Sequence, residues 1–174
     1  MRILGLKLVK NIEYFLFGVI LLFGLIFAFI IPPFQKPDEN MHFLRAVALS
    51  KGEFFCHSDE NGNKSFTIPL KYSDYITEVG TNRIAFNYNE KFNIDSILKV
   101  EKSQQENTGD FELKGYCTLP SFSYLPAAVA VLIGELLSSV SLSFYLGRFV
   151  SFLTLYVFLI WSYKKIRKSN LRWV

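Results

Sequence analysis

YFLFGVILLFGLIFAFII, Tyr14 to Ile31, runs directly into PPFQKPDENMHFLRAVALSKGE, Pro32 to Glu53. The join between these stretches decides the fold. No charged residue lies between Glu13 and Lys36. A helix needs roughly 20 mostly apolar residues to cross ~30 Å of hydrocarbon, so the chain reads as transmembrane over 14–34. A cleavable secretory leader has an apolar core of only ~7–15 residues and a small-residue cleavage site. This run is longer and ends in Phe, Ile and Pro-Pro, which favours an uncleaved signal anchor. Arg2, Lys7 and Lys10 precede it, so the positive-inside preference puts residues 1–13 in the cytoplasm and the following segment outside.

Working outward, the apolar residues gather at the two ends. Hydrophobic residues make up 51% of the 174, with 18 Phe among them, a distribution that argues for membrane anchoring over a single soluble core. The net charge of +4 is not a nucleic-acid signal, because the excess sits at the ends and residues 35–118 hold 10 Lys+Arg against 13 Asp+Glu. No basic groove with interleaved aromatics is present in the sequence.

Two apolar stretches come late: Leu119 to Leu137, LPSFSYLPAAVAVLIGELL, and Leu142 to Tyr163, LSFYLGRFVSFLTLYVFLIWSY. If both crossed, KKIRK at 164–168 would lie outside, against the positive-inside preference. An even number of spans removes the conflict. The second stretch is the better span, over 142–163: it ends in Trp161 and Tyr163, the basic tail 164–174 follows, and Arg148 lies near enough to its outer end to snorkel or pair. The first carries Pro120, Pro126 and Glu135 and reads as a juxtamembrane or re-entrant helix over 119–138. The fold class expected is membrane α-helical: two transmembrane helices, both termini cytoplasmic, an extracytoplasmic α+β loop region over 35–118 and a juxtamembrane helix.

Within the loop region, Asp38 to Lys51 reads as an amphipathic helix with Asp38 as N-cap, a stripe of Met41, Leu44, Val47 and Ala48, and Gly52 at its end. Turn signals at Asn61-Gly62 and Val79–Asn82 flank candidate strands over Ser65–Tyr72 and Arg83–Tyr88, and Ser103–Asp110 reads as a polar loop. Cys56 and Cys117, the only two cysteines, share the compartment in which disulfides form. Their bridge would close a loop of about 60 residues, worth roughly 2–4 kcal/mol in the chain-entropy account. His57 reads as a solvated loop residue.

Asp38, His42 and Arg45 are spaced i, i+4, i+7 and share one helical face, with Glu39 beside it. A carboxylate beside a membrane can accept a proton from a hydroxyl or help hold a divalent metal, with His42 as a second ligand at i+4. Arg45 has the planar fork that grips phosphate. The same spacing also describes an ordinary N-cap and surface pairs of ~0.2–0.5 kcal/mol each. On the residues alone this structural reading is the better supported.

PPFQKPDENMHFLRAVALSKGE resembles the opening of an uncharacterised family of bacterial multi-pass membrane proteins reading PP-x-x-x-PDE-x-x-H-x-x-R after the first span. SFSYLPAAVAVLIGELLSSVSLSFYLGRFVSFLTLYVFLIW, with its Tyr-x-Pro at Tyr124 and its Gly-Arg at Arg148, is similar to the same family. The family is distantly similar to the GT-C class of polyprenyl-phosphate-dependent glycosyltransferases. The resemblance covers both ends, about half of the chain. It implies Asp38 and Glu39 as the catalytic acids, Arg45 and Arg148 as lipid-phosphate contacts, His42 and Tyr124 as supporting residues, and residence in the plasma membrane of a bacterium. GT-C proteins have many more spans, so the expectation is an N-terminal module, incomplete or dependent on a second membrane chain for activity. The alternative is a non-enzymatic two-span envelope assembly or interaction protein. A two-span sensor ranks last, because about ten residues follow Tyr163, too few for an output domain.

Overall fold

A computed structural model of the protein describes residues 2–58, 62–79, 89, 95, 97, 98, 101, 107–112 and 116–170; for residues 2–11 and 168–170 it describes the backbone alone. The chain divides into two compact units, one built from the residues up to Ile31 and from Ser151 onward, the other from Pro32–Val150.

The first unit is a helix pair. Helix α1 (Arg2–Phe29) closes with Ile30 donating to the Ile26 carbonyl. It stops there because Pro32 has no N–H and disfavours helical dihedrals at Ile31. Its partner is the end of the last helix, designated α5 (Val140–Asn170). Arg167 donates to Glu13 at 2.6 Å, Phe17 meets Tyr163 edge-on at 5.4 Å, Tyr156 donates to the Phe17 carbonyl, and a Cβ on Gly24 would overlap the Phe152 ring. Partner numbers fall as α1 numbers rise, so the two helices run antiparallel. Phe15, Leu22, Phe23, Leu155 and Phe158 are exposed, and a helix that is apolar all round belongs in lipid. Among the described residues, two helices are long and apolar enough to cross a membrane, over Ile12–Phe29 and Val140–Arg167, whereas the apolar helical stretch Ser121–Leu136 is shorter.

The second unit is built around helix α2 (Glu39–Ser50). Seven successive residues, Phe43 to Leu49, are buried. The expected amphipathic helix is therefore corrected to one covered on every side from Phe43 to Leu49, with its first turn still open at the exposed His42. Phe34, Phe66, Ile68, Tyr72, Tyr75, Tyr124, Val131 and Phe144 complete its core. A three-stranded antiparallel sheet in the order β1 (His57–Ser58), β2 (Lys64–Pro69), β3 (Thr108–Glu112) covers one side. Alternation in β2 turns Phe66 and Ile68 into the core, with Phe66 opposite Phe111 and Thr67 opposite Asp110.

The strand expected over Ser65–Tyr72 ends early, at Pro69, which has no N–H to extend a ladder. Helix α3 (Leu70–Val79) follows at once and buries Tyr72, Tyr75 and Val79. The end of the expected polar loop is strand instead, since β3 begins at Thr108. The candidate strand Arg83–Tyr88 lies outside the described residues. His57 is in β1, exposed, 2.6 Å from Glu53.

Two short 3₁₀ turns, Tyr116–Thr118 and Ser121–Tyr124, lead into helix α4 (Leu125–Leu136), which starts with Pro126 in its first turn, where a missing N–H is harmless. Gly134 lies so close to Ser143 that an added Cβ would meet its backbone, and this closes a tight α4–α5 corner. The free N–H groups that open α5 are satisfied by the Glu101 carboxylate, which accepts from Val140 and Ser141, and by Ser139, which accepts from Leu142.

Candidate functional site

The turn between Pro32 and Glu39 creates the site. Phe34 (φ 60°) and Asp38 (φ 59°) both take the left-handed conformation, uncommon for Asp and strained for an aromatic residue. Two features hold the turn. The Phe34 ring is buried against Phe144 at 4.6 Å and Tyr75 at 5.7 Å. The Glu39 carboxylate accepts from the Phe34 N–H at 2.9 Å and from Arg148 Nε at 2.8 Å and a second guanidinium nitrogen at 2.6 Å. Arg148 also donates to the Pro32 carbonyl at 3.0 Å and lies over the Phe144 ring at 4.4 Å. The side chains of Arg148 and Glu39 are only 7% and 13% exposed.

Asp38 occupies the N-cap position, but its side chain makes no cap hydrogen bond. The expected capping role is corrected: a left-handed backbone there turns the carboxylate away from the helix N–H groups. The carboxylate is exposed and faces the Tyr116 hydroxyl, whose pKa is pushed up by burial and by that negative charge.

The i, i+4, i+7 face does exist, and the segment 116–124 packs along it. Asp38 faces Tyr116. His42 lies edge-on to Tyr116 at 5.1 Å and parallel to Tyr124 at 5.8 Å, with its Nδ1 2.8 Å from the Tyr124 hydroxyl. Arg45 ends the row. It is 1% exposed, donates to the Glu53 and Phe54 carbonyls at 2.9 and 3.0 Å and to Ser121 Oγ at 2.7 Å, and stacks 4.2 Å over the Phe66 ring. Burial pulls its pKa down from the ordinary arginine value. Burial raises the Tyr124 phenol, and the Arg45 charge partly opposes that.

Cys56 and Cys117 form a disulfide with Cα atoms 5.8 Å apart. It ties the chain just beyond α2 to the segment that carries Tyr116. Asp38, His42, Arg45 and Tyr124 thus gather along one face, and Glu39 with Arg148 braces the turn beside it. Among the described residues no group of three or more His, Cys, Asp or Glu converges as metal ligands. Asp38 and His42 alone do not make a metal cage, and Glu39 is held by Arg148. Tyr116 and Ser121 were missed from sequence. The available signal for Tyr116 was its place next to Cys117.

A family model described as predicted membrane protein (DUF2142) matches residues 21–174. No curated protein and no solved structure matches the chain.

Proposed function

The chain belongs to the DUF2142 family of predicted membrane proteins, and on that premise we propose that it is the N-terminal module of a lipid-linked-sugar glycosyltransferase, acting with a second membrane chain. One observation carries the reading: Asp38 is an exposed carboxylate held on a strained, heavily braced turn directly after an apolar helix. Strain kept in place by a buried ion pair points to a functional position.

In this reading an acceptor hydroxyl attacks the anomeric carbon of a sugar on polyprenyl phosphate. The carbon–oxygen bond to phosphate breaks, the lipid phosphate leaves, and the hydroxyl proton passes to Asp38. Glu39 positions Asp38 through the turn. Arg45 and Arg148 already bind the protein's own acceptors; Arg45, whose partners are neutral, serves the lipid phosphate by its positive field behind the acid, and Arg148, balanced by Glu39, serves by bracing the turn. His42 and Tyr124 fix the aromatic wall of the site. The proposed orientation puts both termini in the cytoplasm of a bacterium and residues 35–118 outside. The Glu13–Arg167 pair supports it, because it gathers the basic flanks at one end of the helix pair. An impermeant maleimide reaching an Arg167→Cys variant from outside the cell rejects that orientation.

Asp38→Asn in the native organism is expected to abolish sugar transfer to the envelope acceptor while the protein stays folded and membrane-bound. An unchanged envelope glycan in that variant rejects the transferase reading. A second reading, a non-enzymatic envelope assembly or interaction protein, is favoured by the way Glu39, Arg45 and Arg148 are all spent on internal contacts. Under it, Asp38 tolerates substitution and changes on the loop surface abolish partner binding.

A further inference from the structure

Helix α4 leaves one face bare. Leu125, Val129, Leu132, Ile133 and Leu136 are exposed, Leu136 by 85%, and Phe122 in the 3₁₀ turn just before the helix is exposed with them. Their spacing of three and four residues makes a single stripe along the helix. The opposite positions, Tyr124, Ala128, Val131 and Gly134, are buried. Phe54 and Phe55 are also exposed, and they sit next to the start of the stripe because Ser121 Oγ donates to the Phe54 carbonyl at 2.7 Å. A contiguous apolar surface of this kind marks an interaction site.

We propose that this stripe, extended by Phe54 and Phe55, is a lipid-contact surface lying at the boundary between headgroups and acyl chains. Three observations choose lipid as the occupant. First, only Leu137–Ser139 separate α4 from α5, whose apolar window begins at Val140, so the end of the stripe at Leu136 lies within about 14 Å of chain from a membrane-crossing segment. Second, the 12 residues of α4 span about 18 Å, short of the ~30 Å hydrocarbon core, so α4 lies along the membrane rather than through it. Third, helices that pack on one another in membranes meet through small residues. In α4 the small residues Ala128, Ala130 and Gly134 are buried, while the outward face is bulky Leu, Val, Ile and Phe. Lys51 and Lys71 meet the Glu135 carboxylate at 2.6 and 3.5 Å, which sets charge on the helix immediately beside the stripe, where headgroups begin.

The inference rests on the membrane reading of α1 and α5 and is independent of the transferase chemistry. It is tested with the full chain, its disulfide intact, in vesicles of phosphatidylethanolamine and phosphatidylglycerol. Nitroxides on Val129→Cys, Leu132→Cys and Leu136→Cys are compared with Thr77→Cys, at an exposed position of α3, and Leu155→Cys in α5, using collisions with oxygen and with a water-soluble nickel chelate. The expected result is an oxygen-to-nickel ratio several-fold higher at the three α4 sites than at Thr77, and lower than at Leu155. A Thr77-like ratio in α4 with a lipid-like ratio at Leu155 overturns the proposal and leaves the membrane reading standing. Immobile labels shielded from both colliders also overturn it, since protein then covers the stripe. Nickel access at Leu155 overturns the membrane reading and the proposal together.

Discussion

Glu39→Gln tests whether the turn at Asp38 is held as described. The substitution keeps shape and volume but removes the charge opposite Arg148. The amide can still accept from the Phe34 N–H, but its nitrogen then meets the guanidinium donor to donor. The bond from Arg148 Nε at 2.8 Å is inverted, and the one at 2.6 Å keeps its oxygen, which it shares with the Phe34 N–H, but loses the negative charge; a hydrogen bond to a charged group is worth about 1.5–3 kcal/mol. The guanidinium stays buried without its counter-charge, and removing one partner of a buried pair costs about 3–5 kcal/mol. Because the Glu39 side chain retains 13% exposure, the lower end applies: about 3 kcal/mol, roughly a hundredfold in the folding equilibrium. Pulse proteolysis across a urea series in mild detergent reads this as a lower midpoint. Adding Arg148→Gln should recover part of the loss, as expected for residues that share one interaction. Lys36→Ala, which removes a half-exposed partner 3.8 Å from Glu39, should cost under about 1 kcal/mol. A Glu39→Gln variant within about 0.5 kcal/mol of the parent, the scatter of ordinary surface changes, would refute the reasoning that this pair braces the turn.

Three further outcomes are expected. Cys56→Ser lowers stability by roughly 2–4 kcal/mol, and reductant lowers the parent's urea midpoint to that of the variant without lowering the variant's own. Gly24→Leu places a side chain in the Phe152 ring and costs about 1–3 kcal/mol, whereas Gly18→Leu, with open space around it, is neutral; thermal unfolding in detergent separates the two. Burial alone would raise the Glu135 pKa, but Lys51, Tyr72 and Lys71 hold it below the usual carboxylate value. Its contribution is therefore complete above the unfolded pKa and is lost as pH falls through the folded one. Glu135→Gln should destabilise at pH 7, and its urea midpoint should converge with the parent's as pH falls past the ordinary glutamate value and on through the lowered folded one.

The two long apolar helices were legible because crossing a membrane demands only length and composition, properties of contiguous sequence. The helical face of Asp38, His42 and Arg45 was legible from spacing, and the Cys56–Cys117 bridge from there being no other cysteine. The burial of Arg45 was not, because its partners are backbone carbonyls at Glu53 and Phe54 and a hydroxyl 76 positions away. The Glu39–Arg148 pair spans 109 positions, which no local pattern encodes. Helix α3 could have been found: Tyr72, Tyr75 and Val79 repeat at helical spacing immediately after a proline that ends a strand. Its β-favouring tyrosines and isoleucine pointed the other way, and tertiary packing overrode them.

The burial of α2 from Phe43 to Leu49 has a consequence for synthesis. Apart from Phe34, the core residues outside α2 lie later in the chain, from Phe66 to Phe144. At about 5–20 residues per second, the run from Phe43 to Leu49, apolar but for Arg45, emerges and then waits roughly 5–20 s for the last of its cover, the start of α5. During that interval the cover arrives piecemeal: β2 and the α3 tyrosines come first, Tyr124 much later, and Arg148, the counter-ion of Glu39, last. Until then the nascent helix is only partly covered, and a chaperone, the translocation machinery or the membrane surface itself can shield the rest. Variants that weaken that shielding would reduce the amount of protein without changing the stability of the molecules that mature.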